Sequence, residues 1–213
     1  MVAVAHARPN AGTKGVPRLE RETQILRVAT EEFGSAGFAG TNIQAVADRA
    51  GISKPLIYNY FGSKECLYAA CLDHAGTVLG GEIERIARGD AVGLERGLRT
   101  LAGMFTILEP QPYLWRLLHD PTAPTTGAVA ETVADHTDRI AALAHEGVTE
   151  LLGLSGNTDP LDISAMTATW LGIVDSLMGW WVDHPGESAD AMLDRCVRLV
   201  RALFSDAARG QLA

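Results

Sequence analysis

Three features of this 213-residue chain predict an all-α fold in two parts. From Arg18 onward, Gly and Pro cut the chain into pieces of helix length, and apolar residues within the pieces recur three and four apart. No stretch alternates strictly between apolar and polar residues, as a half-buried strand would. Near the N-terminus, two short helical pieces meet at a tight glycine-containing turn, which is the layout of a helix-turn-helix. The expected architecture is an N-terminal three-helix module joined by a long fourth helix to a larger C-terminal helical body.

Residues 1–17 are rich in Gly, Ala and Pro, lack periodicity and read as a flexible N-terminal arm. The first helix is expected from Arg18 to Ser35, with Ile25, Ala29 and Phe33 on one face. Gly37 suits a left-handed C-cap, and Phe38 supplies the apolar contact beyond it. Thr41-Asn42-Ile43-Gln44 reads as a capping box in which the threonine hydroxyl takes a free N–H and Gln44 reaches back. That second helix ends at Gly51. Ser53 then caps a third, in which Pro55 is tolerated in the first turn, and Gly62 closes it. Ser63 caps a fourth helix running toward Arg88.

The net charge of −8 is unevenly spread. Up to residue 64 there are eight Lys/Arg against five Asp/Glu, and beyond it ten against 21. An acidic body confines polyanion binding to the N-terminal module. The third helix has the chemistry for it. Ile52, Ile57 and Phe61 point to the small core, leaving Lys54, Pro55, Leu56, Tyr58, Asn59 and Tyr60 outward. In a major groove, lysine can donate to guanine, asparagine can bond adenine bidentately, and Pro55 or Leu56 can press on a thymine methyl. Tyrosine hydroxyls reach phosphates. Thr41 and Lys64 stand where helix N-termini favour phosphate.

The stretch ILRVATEEFGSAGFAGTNIQAVADRAGISKPLIYNYFGSKECLYAA resembles the DNA-binding domain of TetR-family regulators. The resemblance covers residues 18–72 and implies that Thr41, Ser53, Lys54, Pro55, Leu56, Tyr58, Asn59, Tyr60 and Lys64 contact double-stranded DNA. Leu56 and Asn59 fall at positions that vary in the family and help set the operator. The resemblance also implies that residues 73–213 form a ligand-binding and dimerisation domain. The expected protein is a cytoplasmic homodimer on a near-palindromic operator, a repressor released by a small, mostly apolar effector.

In the body, Asp90 is expected to cap a fifth helix to Leu108, and Pro110 and Pro112 bracket a short sixth. The Pro/Thr-rich PTAPTTG reads as a loop before a seventh helix ending at Gly153. Asp159-Pro160 starts an eighth helix to His184, and a ninth runs from Ser188 to Phe204. Trp170, Val174, Leu177 and Trp181 form an apolar stripe on the eighth, beside a flatter line of Gly172, Ser176 and Gly179. On the ninth, Met192, Cys196, Leu199 and Leu203 line one side. A ligand pocket is expected around Met104, Phe105, Leu108, Tyr113, Leu114 and Trp115, with Trp170, Val174, Met178 and Trp181 opposite. Plain core has the same appearance.

Catalysis finds little support, an enzyme with a helical pocket being kept as an alternative: the sequence lacks Gly-x-Ser-x-Gly, His-Glu-x-x-His, a phosphate-cradling glycine loop and metal-ligand spacing of Cys and His. No cofactor, metal or membrane association is expected, since no apolar run approaches the ~20 residues that cross a bilayer. Cys66, Cys71 and Cys196 read as reduced, partly buried thiols. The competing expectation is a ligand-independent nucleoid or division factor with the same reader and a filled body.

Overall fold

The computed structural model describes residues 17–203. The proposed arm lies outside the described residues but for Pro17, as does Phe204. The described residues form nine helices and no strand. In order these are α1 (Arg18–Gly40), α2 (Ile43–Arg49), α3 (Lys54–Phe61), α4 (Lys64–Ala87), α5 (Gly93–Leu108), α6 (Tyr113–Leu118), α7 (Gly127–Gly153), α8 (Pro160–Val182) and α9 (Ala189–Leu203).

α1 breaks at Gly37, whose φ of 69° only glycine adopts cheaply. Phe38 then folds back onto Phe33 and Tyr68, with Phe38 and Tyr68 edge-to-face at 5.2 Å. The expected capping box is not what starts α2. Asn42 is the N-cap, its side chain accepting the Gln44 N–H at 2.8 Å, and the Gln44 amide bonds Asp48. Thr41 is buried, and its hydroxyl donates to the Gly37 carbonyl at 2.7 Å. The break in α1 leaves that carbonyl in reach, so the hydroxyl closes the end of α1 instead of opening α2.

Ile25, Val28 and Phe33 of α1, Ile43 and Val46 of α2, Ile57 of α3 and Leu67 and Leu72 of α4 form the interior of the N-terminal module. Full burial of each such side chain contributes ~1.5–3 kcal/mol. The burial continues unbroken into the body, and the boundary expected at residues 72 and 73 falls inside continuous α4. α4 packs on α1 and α6 at its start and on α5 and α7 beyond.

Two close approaches set the geometry. A Cβ at Gly34 would lie 2.2 Å from the Tyr113 carbonyl oxygen, so glycine lets α1 rest on α6. A Cβ at Gly76 would meet the His136 ring at 2.5 Å, where α4 crosses α7 and His136 Nε2 faces Asp73 at 3.0 Å.

α5 starts at Gly93 with Val92 as N-cap, so Asp90 does not cap it; its carboxylate faces Arg99 at 3.1 Å. Asp159 does cap α8, accepting from the N–H groups of Leu161 and Asp162. Met192 and Cys196 of α9 are buried, whereas Leu199 is exposed and so departs from the expected side. Cys71 is also buried, which pushes its thiol up to about 12, and Cys66 is exposed; all three cysteines are free.

Candidate nucleic-acid interface

α2 and α3 meet at a turn in which Gly51 takes φ 65° and the Ile52 N–H returns to the Ala47 carbonyl at 3.0 Å. Gln24 of α1 clips this turn by donating to the Ala50 carbonyl at 3.0 Å. With Ile57 fully buried as its anchor, α3 has one rotational setting, and that setting determines which residues face out.

Ser53, Pro55 and Asn59 are exposed, and Lys54 is half-buried. Ser53 occupies the N-cap position of α3, yet its hydroxyl makes no capping bond. Leu56, Tyr58 and Tyr60 were expected to face outward; each is half-buried against the core, with only an edge outside. Phe61, expected in the core, is half-buried too. An eight-residue helix on a small core cannot show six of its side chains to solvent, and the aromatic ones fold down.

Cations cover the tyrosine rings. Lys54 Nζ lies 5.8 Å from the Tyr58 ring centre, and the Arg18 guanidinium 5.6 Å from that of Tyr60. Arg18, Leu56, Asn59 and Tyr60 line a groove of about 240 Å³ beside α3. Sequence reasoning missed Arg18; its place as a cation at the first position of α1 was the available signal. Lys64 is held inward: Nζ donates to the Thr41 carbonyl at 2.7 Å and sits 4.6 Å from the Phe38 ring centre. Thr41, 5% exposed with its hydroxyl engaged on α1, presents no side chain to a ligand in this conformation. Arg49 is occupied as well, by Glu32 and Glu31, whose hydrogen bonds push its guanidinium above its ordinary value.

In the body, the residues expected to line a ligand pocket mostly fill space. Met104, Phe105, Leu108, Met178 and Trp181 are buried, and the Phe105 and Trp181 rings meet edge-to-face at 5.0 Å. Tyr113, Trp170 and Val174 are half-buried against the same core. A cleft of about 440 Å³ lies elsewhere, where the end of α1 meets α6, the α6–α7 loop and the end of α8. Of the ten expected pocket residues, Trp115 lines it.

The α6–α7 loop also grips the N-terminal module at this point. The Asp120 carboxylate accepts the Phe38 N–H and, at 3.1 Å, the Tyr68 hydroxyl. Its other oxygen takes the Thr122 N–H and hydroxyl, and the Thr122 hydroxyl accepts the Ala39 N–H at 3.0 Å. Burial pushes the Asp120 carboxyl up, but the donors from Phe38, Thr122 and Tyr68 together outweigh it and hold the group below its ordinary value. Asp120 carried no signal in the sequence, because its partners Phe38 and Tyr68 lie far away along the chain.

Residues 25–71 match the family model described as bacterial regulatory proteins, tetR family. A transcriptional activator of Mycolicibacterium smegmatis, FasR, is 31% identical over 135 residues, covering 62% of this chain and 61% of that protein. A transcriptional repressor of Mycobacterium tuberculosis is 35% identical over 99 residues, covering 45% of this chain and 53% of its own length. The crystal structure of a TetR-like transcriptional regulator from Rhodococcus is 26% identical, with a TM-score of 0.67 over 90% of this chain and all of that one.

The chain is similar to TetR-family regulators, in sequence through residues 25–71 and in its overall fold. The segment matched by the TetR-family model contains α2, α3, the turn between them and all nine residues singled out for DNA contact. The alignments with the two curated relatives reach only about half to three fifths of their length. Among the described residues no helix is long and apolar enough to cross a membrane.

Proposed function

We propose that the protein is a homodimeric, cytoplasmic transcriptional regulator that reads a near-palindromic operator with α3 and is released by a small effector. The observation that carries this reading is the presentation of α3. A fully buried Ile57 anchors a helix whose exposed side offers Ser53, Pro55 and Asn59, with Lys54 and Arg18 at its flanks. Asn59 supplies the paired donor and acceptor that suit adenine, and the flanking cations suit phosphate. Lys64 and Thr41 act in this reading as supports that hold the start of α4 against the start of α2.

Dimerisation is supported by an apolar ridge on α8. Met166, Ile173 and Trp180 recur every seven residues and are 38%, 40% and 41% exposed, facing away from the core that Met178 and Trp181 enter. A second copy covers such a ridge and sets two α3 helices at a spacing of about one DNA turn. Relatives bear the names of both activator and repressor. Repression is the sign proposed here, since a dimer seated on promoter DNA excludes polymerase.

The test is an anisotropy titration of the full chain against labelled DNA from its own upstream region at stated salt. Tight, salt-sensitive binding that Asn59→Ala weakens supports the reading. Equal, weak binding by both proteins refutes it.

A further inference from the structure

We infer that the cleft between α1, α6 and α8 binds a small organic cation bearing hydrogen-bond donors on an apolar body. The first ground is the break in α1. In a continuous helix the amides of Phe38 and Ala39 would close on the carbonyls of Gly34 and Ser35; here they are drawn off to Asp120 and Thr122. Gly34 and Ser35 line the cleft, so its floor is the negative end of a long helix.

The opposite wall repeats this. α8 ends there at Val182 and Asp183, a second helix C-terminus beside an exposed carboxylate. The molecule itself shows what this wall accepts: the Arg116 guanidinium donates to the Val182 carbonyl at 2.9 Å and stands 3.9 Å from Asp183. Aspartates 120 and 183 against Arg116, with two helix C-termini, leave the cleft negative. Both His119 ring nitrogens are already engaged, Nε2 with Asp175 at 2.9 Å and Nδ1 with the Trp115 carbonyl at 3.0 Å. The edges of Trp115 and Val182 supply the apolar part. At about 440 Å³ the space falls in the range of small-molecule sites.

Position gives the site a consequence, and this part rests on the regulator reading. Asp120 and Thr122 both line the cleft and hold the amides of Phe38 and Ala39. A cation that binds one setting of this junction better than another biases how the reader sits on the body.

The test compares benzamidine with benzamide, its neutral isostere, by isothermal titration into the full chain. Benzamidine is expected to bind at least tenfold more tightly. Gly179 lines the cleft and a Cβ there meets nothing within 4 Å, so Gly179→Leu is expected to fold normally and abolish binding. Asp183→Asn is expected to weaken it severalfold. Equal affinity for the two probes, or unchanged benzamidine affinity in Gly179→Leu and Asp183→Asn, overturns the site. Saturating benzamidine is further expected to shift the apparent Kd for upstream DNA at least threefold. Benzamidine binding without any DNA binding leaves the site standing and sinks the regulator reading; DNA binding with no benzamidine binding does the reverse.

Discussion

Asp120 accepts the backbone N–H of Phe38, across 82 positions of sequence. With Tyr68 and Thr122 on the same carboxylate, this contact ties the α1–α2 turn, the start of α4 and the α6–α7 loop into one junction. Reader and body are coupled here as well as through α4.

Asp120→Ala strands the Phe38 N–H, which is partly away from water, and leaves the Tyr68 hydroxyl with the Leu117 carbonyl as its remaining acceptor. The expected loss is about 2 kcal/mol of folding stability, read from the urea midpoint. A midpoint unchanged from wild type would show that the junction carries no stability.

The same carboxylate has a pH signature. Its folded value is depressed, so its contribution is complete above the unfolded value of ~3.9 and is lost as pH falls through the lower folded value. The stability gap between wild type and Asp120→Asn is expected to be constant from pH 7 to 5 and to close between pH 4 and 2. A gap that persists at pH 2 would contradict this.

Gly34→Ala places a Cβ 2.2 Å from the Tyr113 carbonyl, backbone against backbone, and α6 must move. A loss of ~2–3 kcal/mol is expected. Gly40→Ala, whose Cβ meets only the Ala36 Cβ at 3.5 Å, is expected to be near neutral. Thermal unfolding of the pair separates close approach from a general cost of alanine.

On α3, Lys54→Ala is expected to weaken binding evenly across DNA sequences and to flatten the log–log salt slope by ~0.9. Asn59→Ala is expected to leave stability unchanged while losing ~1–3 kcal/mol of discrimination at one base pair. Competition titrations with single-base operator variants distinguish the two.

Much of the helical order was legible because local chemistry decides it. The Gly37 break, the Asp159-Pro160 start of α8 and the anchoring of α3 by Ile57 each depend on residues within one turn. Thr41 misled because two adjacent residues, Thr41 and Asn42, could both cap α2, and only the tertiary reach of the Gly37 carbonyl chose between them. The expected body pocket was not separable from core by periodicity. Phe105 and Trp181 stripes look alike whether they enclose a ligand or each other. The junction cleft is built by glycines and helix ends, which leave no hydrophobic pattern to read.

The central claim is that two α3 helices of a dimer read one operator. Hydroxyl-radical footprinting of the full chain on its upstream DNA tests it most directly, with Ile173→Glu alongside to break the α8 ridge. The account predicts two protected half-sites, ~34–36 Å between centres, that Ile173→Glu weakens together. A single protected stretch unaffected by Ile173→Glu, or no protection at all, would contradict it.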